Sequence, residues 1–247
     1  MSRIDQALVD QGFFKSREKA KRSVMAGQVL INGHKAQKPS DKVRPDDQVA
    51  LLETERFVSR GGYKLERGLE YFNLEAKNRT AIDVGASTGG FTDCLLQRGA
   101  SLVYAVDVGY GQLDWQLRNN PKVVVKERLN ARHLTPGQLG ASFEPVDLIT
   151  VDCSFISLKK ILLPLPSLLK ASGNIVALIK PQFEAGKKEA DRGAGVIKDP
   201  EIHRRILWEL ELFVGKMEKL SWHGCTESPI TGPAGNREFL AWIKKMP

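Results

Sequence analysis

Residues 80–93 read Thr80-Ala-Ile-Asp-Val-Gly-Ala-Ser-Thr-Gly-Gly-Phe-Thr-Asp93, and their order decides the fold. A short apolar run, Ala81 to Val84 with Asp83 embedded in it, leads into a glycine-rich turn from Gly85 to Gly90. A helical pattern follows from Phe91 to Arg98. Apolar strand, glycine turn and helix open a doubly wound α/β domain. Glycine lets backbone pass close to a ligand that a Cβ would block. The dinucleotide fingerprint requires G-x-G-x-x-G, whereas Gly85, Gly89 and Gly90 give G-x-x-x-G-G. A pyrophosphate cradle is therefore poorly supported. Asp83, two residues before the first glycine, is placed to meet a positive ligand group. Ala86, Ser87, Thr88 and Phe91 complete the expected ligand turn. The alternative is an ordinary tight βα turn.

About twenty residues on, Leu102-Val-Tyr-Ala-Val106 is a second apolar run, ending at Asp107. An acidic residue at the tip of the second strand suits a ribose diol. The two strands together describe a nucleoside site whose floor is acidic rather than phosphate-binding. S-adenosylmethionine fits it, with a ribose, an adenine and a sulfonium amino acid but no phosphate. The stretch Asp83 to Asp93 resembles the cofactor motif of RNA 2′-O-methyltransferases.

A chain of 247 residues suggests one or two domains. Its 42% apolar and 27% charged residues are ordinary for a globular protein. No apolar run reaches the ~20 residues of a membrane span, and Met1-Ser-Arg-Ile-Asp-Gln6 opens no signal peptide. Cys94, Cys153 and Cys225 are too scattered for a disulfide framework or a zinc site. The expectation is a cytoplasmic protein without metal or membrane partners. The net charge of +8 points to an anionic partner. Residues 1–45 carry ten Lys and Arg against four Asp and Glu, net +6, and the other 202 residues supply +2.

The basic N-terminal piece reads as a small module over residues 1–54. Ile4, Leu8 and Val9 recur at helical spacing between Arg3 and Gln11, with Gly12 as a stop. Ser16 is a good N-cap for a second helix ending at Gly27. Ala20 and Val24 form its inner face and leave Lys15, Arg17, Lys19, Lys21 and Arg22 mostly outside. Val29 to Gly33 reads as a strand with an Asn-Gly turn, and Val43 to Leu52 contains another. This spacing resembles the alpha-L RNA-binding module first named in a small-subunit ribosomal protein. The resemblance implies that the basic helix, with Arg3, lies on RNA phosphates. Lysine and arginine without interleaved aromatics suit shape and phosphate binding. A solvated basic face is the alternative.

Residues 55–63 read as a linker that includes Arg60, a further candidate RNA contact, and break at Gly61-Gly62. The methyltransferase domain is expected over 64–247. Lys64 to Phe72 has a helical pattern, and a cation in its first turn goes against the helix dipole. A broken local rule beside two glycines points to function, and an exposed lysine is the alternative. Further strands are expected at Lys122–Val125, Val146–Val151, Asn174–Ile179, Glu218–Cys225 and Glu238–Ile243. Helices are expected at Leu158–Leu169, bent or broken by Pro164 and Pro166, and at Glu201–Val214. The fold class is α/β: a Rossmann-like, seven-stranded, mostly parallel sheet with an antiparallel hairpin at one edge, behind a small α+β RNA-binding domain.

Ligands of such sheets sit at the carboxyl ends of the strands, where Asp83, Asp107, Asp152 and Lys180 fall. A ribose hydroxyl is a weak nucleophile until its proton is removed. Lys180 is a candidate base if positive charge, from Lys64 or the sulfonium, and desolvation lower its pKa. Asp152 and a second acid would orient the amines; an ordinary ion pair is the alternative for Asp152 and Lys180. The 2′-O-methyltransferases of this type use a Lys-Asp-Lys-Glu tetrad. Lys64, Asp152, Lys180 and Glu238 match it in chain order, within Ser59–Lys64, Val151–Phe155, Leu178–Phe183 and Gly235–Phe239. With the alpha-L module in front, the chain is similar to the bacterial haemolysin-A-type (TlyA) ribosomal RNA methyltransferases. That resemblance implies 2′-O-methylation of cytidine in ribosomal RNA, with ribosomal RNA or subunits as partners and Asp152 also at the cofactor. Rival readings are cytosine C5 methylation through Cys153, amino-group methylation and RNA binding without catalysis. A pore-forming haemolysin has no span, barrel pattern or secretion signal behind it.

Overall fold

The computed structural model describes residues 1–52, 56–186, 189 and 193–247, which divide into two units, Met1–Arg56 and Phe57–Pro247. Glu55, the first residue of the expected linker, lies outside the described residues, as do Glu53 and Thr54.

The first unit begins with a two-residue strand, β1 (Ser2–Arg3), then α1 (Ile4–Asp10) and α2 (Arg17–Met25). Ser16 caps α2, its hydroxyl accepting the Lys19 N–H at 3.4 Å. β2 (Val29–Ile31) turns at Asn32-Gly33 into β3 (His34–Lys35), and β4 (Lys42–Val43) and β5 (Val49–Leu51) follow. β2 pairs antiparallel with β3 and β5, and β1 with β4. Ile4, Leu8, Ala20, Val24, Val29 and Val43 form a small core.

The second unit begins with α3 (Gly61–Tyr71), followed by β6 (Thr80–Val84) and α4 (Gly90–Gln97). β7 (Leu102–Val106), α5 (Trp115–Arg118), β8 (Val123–Lys126), α6 (Pro136–Leu139) and β9 (Val146–Val151) continue it. α7 (Leu158–Leu162), β10 (Leu169–Ile179), α8 (Pro181–Glu184), α9 (Pro200–Gly215), β11 (Leu220–Glu227) and β12 (Phe239–Lys245) complete it. The sheet has the order β11-β12-β10-β9-β6-β7-β8, and only β11 and β12 run antiparallel to their neighbours. This is the Rossmann-like, mostly parallel sheet that the alternation of strands and helices predicts.

Both faces are covered, as a parallel sheet requires. On one face Ala81, Val103, Leu148 and Val176 pack with Leu65 and Leu69 of α3 and Phe91 and Leu95 of α4. On the other, Ile82, Val84, Ile149 and Ile175 pack with Ile161 of α7 and Ile206 and Leu210 of α9. The alternation of 81 with 82 and 148 with 149 is the period of two of a strand.

Two expectations change. The Gly61-Gly62 pair is the first turn of α3 and not a break, so the helix starts three residues before Lys64. A Cβ at Gly62 would lie 2.2 Å from the Phe57 ring, and one at Gly90 would lie 3.1 Å from Gly61 Cα. The glycines serve the close approach of the α3 and α4 N-termini. The helix expected over Leu158–Leu169 ends at Leu162, and a 3-10 turn at Leu165–Ser167 leads directly into β10. Pro164 and Pro166 cannot donate the N–H bonds that would continue it.

Candidate active site

Lys64, Asp152, Lys180 and Glu238 line one cleft of about 600 Å³ at the carboxyl ends of the parallel strands. Topology explains the meeting. Asp152 follows β9 and Lys180 follows the adjacent parallel β10. β12 runs antiparallel to β10, with Ile179 opposite Phe239, so the residue just before β12, Glu238, arrives at the same edge. Lys64 comes from the first turn of α3, over the sheet.

The tetrad forms two lysine–carboxylate pairs. Lys64 Nζ donates to Glu238 Oε2 at 2.6 Å, with side chains only 9% and 1% exposed. Lys180 Nζ lies 2.5 Å from Asp152 Oδ1 and donates an aligned hydrogen bond to Ser154 Oγ at 2.9 Å. The contact with Asp152 is an ion pair without hydrogen-bond alignment. Lys64 is thus matched by its own carboxylate and is not left to supply bare positive charge to Lys180.

The glycine turn lines the cleft with Gly85, Ala86, Ser87, Thr88, Gly90 and Phe91. Its glycines also answer to protein contacts. Gly85 has φ +85°, and a Cβ there would lie 2.5 Å from the Asp152 carbonyl oxygen. Gly89, at φ +101°, packs against Leu117 of α5, 2.3 Å from where its Cβ would be, and does not line the cleft. The turn fits against the Asp152 strand tip on one side and α5 on the other.

Asp83 is placed behind the cleft and not in it. It is fully buried, accepting hydrogen bonds from Thr92 Oγ1 at 2.7 Å and Thr150 Oγ1 at 3.1 Å. It shares the β6 face with Ala81, so it points at α4 and is not part of the cleft lining. Burial pushes its carboxyl up to about 7, against the two threonine hydrogen bonds. Asp107 also stands outside the cleft lining; Oδ2 accepts the Ser87 N–H and Oδ1 the Gly109 N–H, both at 2.7 Å. It shapes the turn through Ser87.

Cys153 is absent from the cleft lining. Its thiol lies 3.7 Å from the Val84 carbonyl oxygen, and burial pushes it up to about 12. A thiol held protonated is a poor nucleophile, which disfavours C5 chemistry.

Sequence reasoning missed several cleft residues. Gln182 presents a buried Oε1 that has no hydrogen-bond partner among the described residues. Asn236, 1% exposed, accepts the Ile197 N–H and donates to the Gly195 carbonyl, each at 2.9 Å, so it pins the wall beside Glu238. Phe155 is 90% exposed at φ +62°, and its ring centroid lies 5.1 Å from that of Phe183. Both phenylalanines sit inside the motifs that carry Asp152 and Lys180. An exposed aromatic in a left-handed conformation was the available signal, but backbone dihedrals are not written in sequence.

Of the basic residues, Arg60 lines the cleft. Lys15, Arg17, Lys19, Lys21 and Arg22 are exposed on the first unit. Arg3 and Arg17 both bind the buried Asp5, at 3.0 Å each, and hold its carboxyl down at about 2. Arg22 pairs with Glu18 at 2.8 Å.

The seven-stranded sheet, parallel but for its antiparallel β11–β12 edge, is that of a class I methyltransferase. Residues 57–245 match the FtsJ-like methyltransferase family and residues 2–49 match the S4 domain. The 16S/23S rRNA (cytidine-2′-O)-methyltransferase TlyA of Mycobacterium tuberculosis is 44% identical, across 98% of this chain and 90% of its own length. Hemolysin A of Brachyspira hyodysenteriae is 38% identical, across 97% and 98%. The solved structure of a hemolysin candidate from Streptococcus thermophilus superposes with a TM-score of 0.74 at 43% identity, covering 99% of this chain and 88% of that one. The chain belongs to the TlyA family, S4-domain proteins with an FtsJ-like methyltransferase domain. Its methyl donor is S-adenosylmethionine. The cleft fits that group: its volume is in the range of cofactor sites, the turn exposes backbone, and the orphaned Gln182 Oε1 awaits a donor.

Proposed function

We propose that this cleft methylates the 2′-hydroxyl of a cytidine ribose in ribosomal RNA, with Lys180 as the base. The observation that carries the reading is the convergence of Lys64, Asp152, Lys180 and Glu238 on one cleft, as two lysine–carboxylate pairs. S-adenosylmethionine, when bound, supplies an electrophilic methyl group. Gly85, Ala86, Ser87, Thr88, Gly90, Phe91 and Asp152 would hold it, with Asp107 supporting the turn through Ser87.

The protein's part is to place the hydroxyl and accept its proton. Lys180 reaches the cleft from the end of an apolar strand, steadied by Asp152 and Ser154. To act as base, Lys180 must first give up to solvent the proton that makes it the cation of the Asp152 pair; the amine then takes the proton of the hydroxyl, and Asp152 balances the ammonium that is restored. The buried Lys64–Glu238 pair fixes the opposite wall and presents its remaining hydrogen-bonding capacity to the ribose. Phe155, exposed beside Phe183, offers a ring face to the base of that nucleotide. The S4 domain supplies the grip on folded RNA through the exposed Lys15, Lys19, Lys21 and neighbouring arginines, and ribosomal subunits in the cytoplasm are the partner this reading implies.

Transfer of tritiated methyl from S-adenosylmethionine to unmodified subunits and to naked ribosomal RNA, with mapping of the product, tests this. A 2′-O-methylcytidine is expected. A base-methylated product or no transfer to ribosomal RNA refutes it.

A further inference from the structure

The segment after β7, through the first residue of α5, exposes three large apolar side chains close together in sequence: Val108 at 71%, Tyr110 at 69% and Trp115 at 74%. Rings dominate the energetics of contact surfaces, and Trp115 is more exposed than Trp208, the other tryptophan among the exposed large hydrophobics. The segment is firmly built. Gly111 N–H donates to Glu127 Oε1 at 2.8 Å, and Glu127 binds Arg118 of α5 at 2.5 Å. Arg128 N–H donates to the Gly109 carbonyl at 3.1 Å, and Leu129 N–H to the Asp107 carbonyl at 3.0 Å. Arg128 adopts φ +59°, and its guanidinium lies 4.4 Å from the centroid of the Tyr110 ring. Among the described residues it has no carboxylate partner in an ion pair.

The stretch of sequence that carries these rings is basic. Residues 108–133 carry five Lys and Arg (Arg118, Lys122, Lys126, Arg128, Arg132) against Asp114 and Glu127, net +3. Residues 46–247 as a whole supply +2, so without this stretch they would net −1. Lys122, Arg128 and Arg132 are exposed. Exposed rings on a hydrogen-bonded loop, with the Arg128 guanidinium over one of them, are the combination that holds single-stranded nucleic acid, through base stacking and phosphate contact. β7 and β8 are parallel to β6, so their ends open on the same edge of the sheet as the cleft. α5 connects the two places directly, since Leu117 packs on Gly89 of the glycine turn.

We propose that Tyr110 and Trp115, with Arg128, form a second RNA-docking surface on the methyltransferase domain, which stacks unpaired bases of the ribosomal RNA substrate away from the target nucleotide. The proposal rests on ribosomal RNA being the substrate. Its chemistry differs from that of the S4 helix: stacking on rings here, phosphate neutralisation there.

The test compares Tyr110→Ala/Trp115→Ala with Tyr110→Phe/Trp115→Phe in the full chain, on unmodified ribosomal subunits. Both residues are exposed, so thermal unfolding should match the wild type. The alanine pair should raise KM for subunits by roughly tenfold or more for each ring removed, with kcat and calorimetric affinity for S-adenosylmethionine nearly unchanged. The phenylalanine pair, which keeps the rings, should restore KM. Oligocytidylate should quench wild-type tryptophan emission and quench Trp115→Phe far less. Unchanged KM in the alanine pair overturns the proposal, as does quenching that persists in Trp115→Phe. Weakened cofactor affinity would make these rings part of the adenine pocket instead. A shift from dimer to monomer with KM unchanged would make the face a homodimer contact. KM that rises without any oligocytidylate quenching in the wild type would point to a ribosomal protein and also overturn it. If the wild type transfers no methyl to ribosomal RNA, the substrate assignment fails first.

Discussion

Lys64 and Glu238 are 174 residues apart in sequence and meet at 2.6 Å in a site almost closed to water. Each charge is tolerated there because the other is present. Breaking a buried pair by removing one partner costs more than the pair contributes, because the remaining charge stays desolvated. Glu238→Ala should therefore destabilise the protein by about 3–5 kcal/mol and abolish methyl transfer. Glu238→Gln, which keeps the shape, should fold better and stay inactive. Urea unfolding alongside the transfer assay separates the two effects; near-wild-type stability of the alanine variant would show the pair to be open to water.

Lys180→Arg keeps the charge beside Asp152, but a guanidinium does not accept a proton usefully. Turnover should fall by about 10²–10⁴-fold, with cofactor affinity retained in calorimetry. Near-normal turnover would reduce Lys180 to an electrostatic clamp and direct the search for a base to Asp152 or water.

Asp107 accepts two backbone N–H groups, and one of them, from Ser87, belongs to the cofactor turn. Asp107→Ala releases both and removes the carboxylate expected at the ribose. Affinity for S-adenosylmethionine should drop by roughly 1.5–3 kcal/mol for each charged hydrogen bond removed. Equal calorimetric affinity would separate Asp107 from cofactor binding.

Asp83 gives the pH dependence its sign. Its carboxyl rises from 3.8 unfolded to about 7 in the folded protein because it is buried. The folded state therefore holds the proton more tightly. This group's stabilising contribution is fully present below pH 3.8 and is lost as pH rises through about 7. Asp83→Asn cannot titrate, so its stability relative to wild type should increase between pH 4 and pH 8. The increase is at most ~1.4 kcal/mol for each pH unit that separates the folded from the unfolded carboxyl. Denaturant midpoints across that range measure it, and parallel curves for the two proteins would contradict the burial argument.

Around α2 of the S4 domain, Arg17 pairs with Asp5 and Arg22 with Glu18, while Lys15, Lys19 and Lys21 have no ion pair among the described residues. Replacing these three by alanine should lower the slope of log affinity against log salt by about 0.7–0.9 for each RNA phosphate no longer neutralised, with stability unchanged. Adding Arg17→Ala should also destabilise the domain. An unchanged slope would make the helix face merely solvated.

The sequence by itself determined the order of elements and the parallel sheet, because strand period and glycine turns are local and survive in one dimension; the four candidate tetrad residues came from the resemblance to RNA 2′-O-methyltransferases. It also placed Ser16 as a cap and put the basic surplus in the first 45 residues. Tertiary structure decided what those residues touch. Glu238 enters the cleft only because β12 runs antiparallel to β10, which no local pattern states. Asp83 reads as a ligand residue beside the glycine turn, yet it faces α4, because the pleat turns it to the side where Thr92 and Thr150 wait. Gly61 and Gly62 read as a break and prove to be a helical contact surface, since a glycine marks permission for close approach without saying what approaches. The pairing of Lys64 with Glu238, and of Lys180 with Asp152, is likewise a property of the packed sheet: electrostatic partners are chosen by distance, and distance is settled only when the chain has folded.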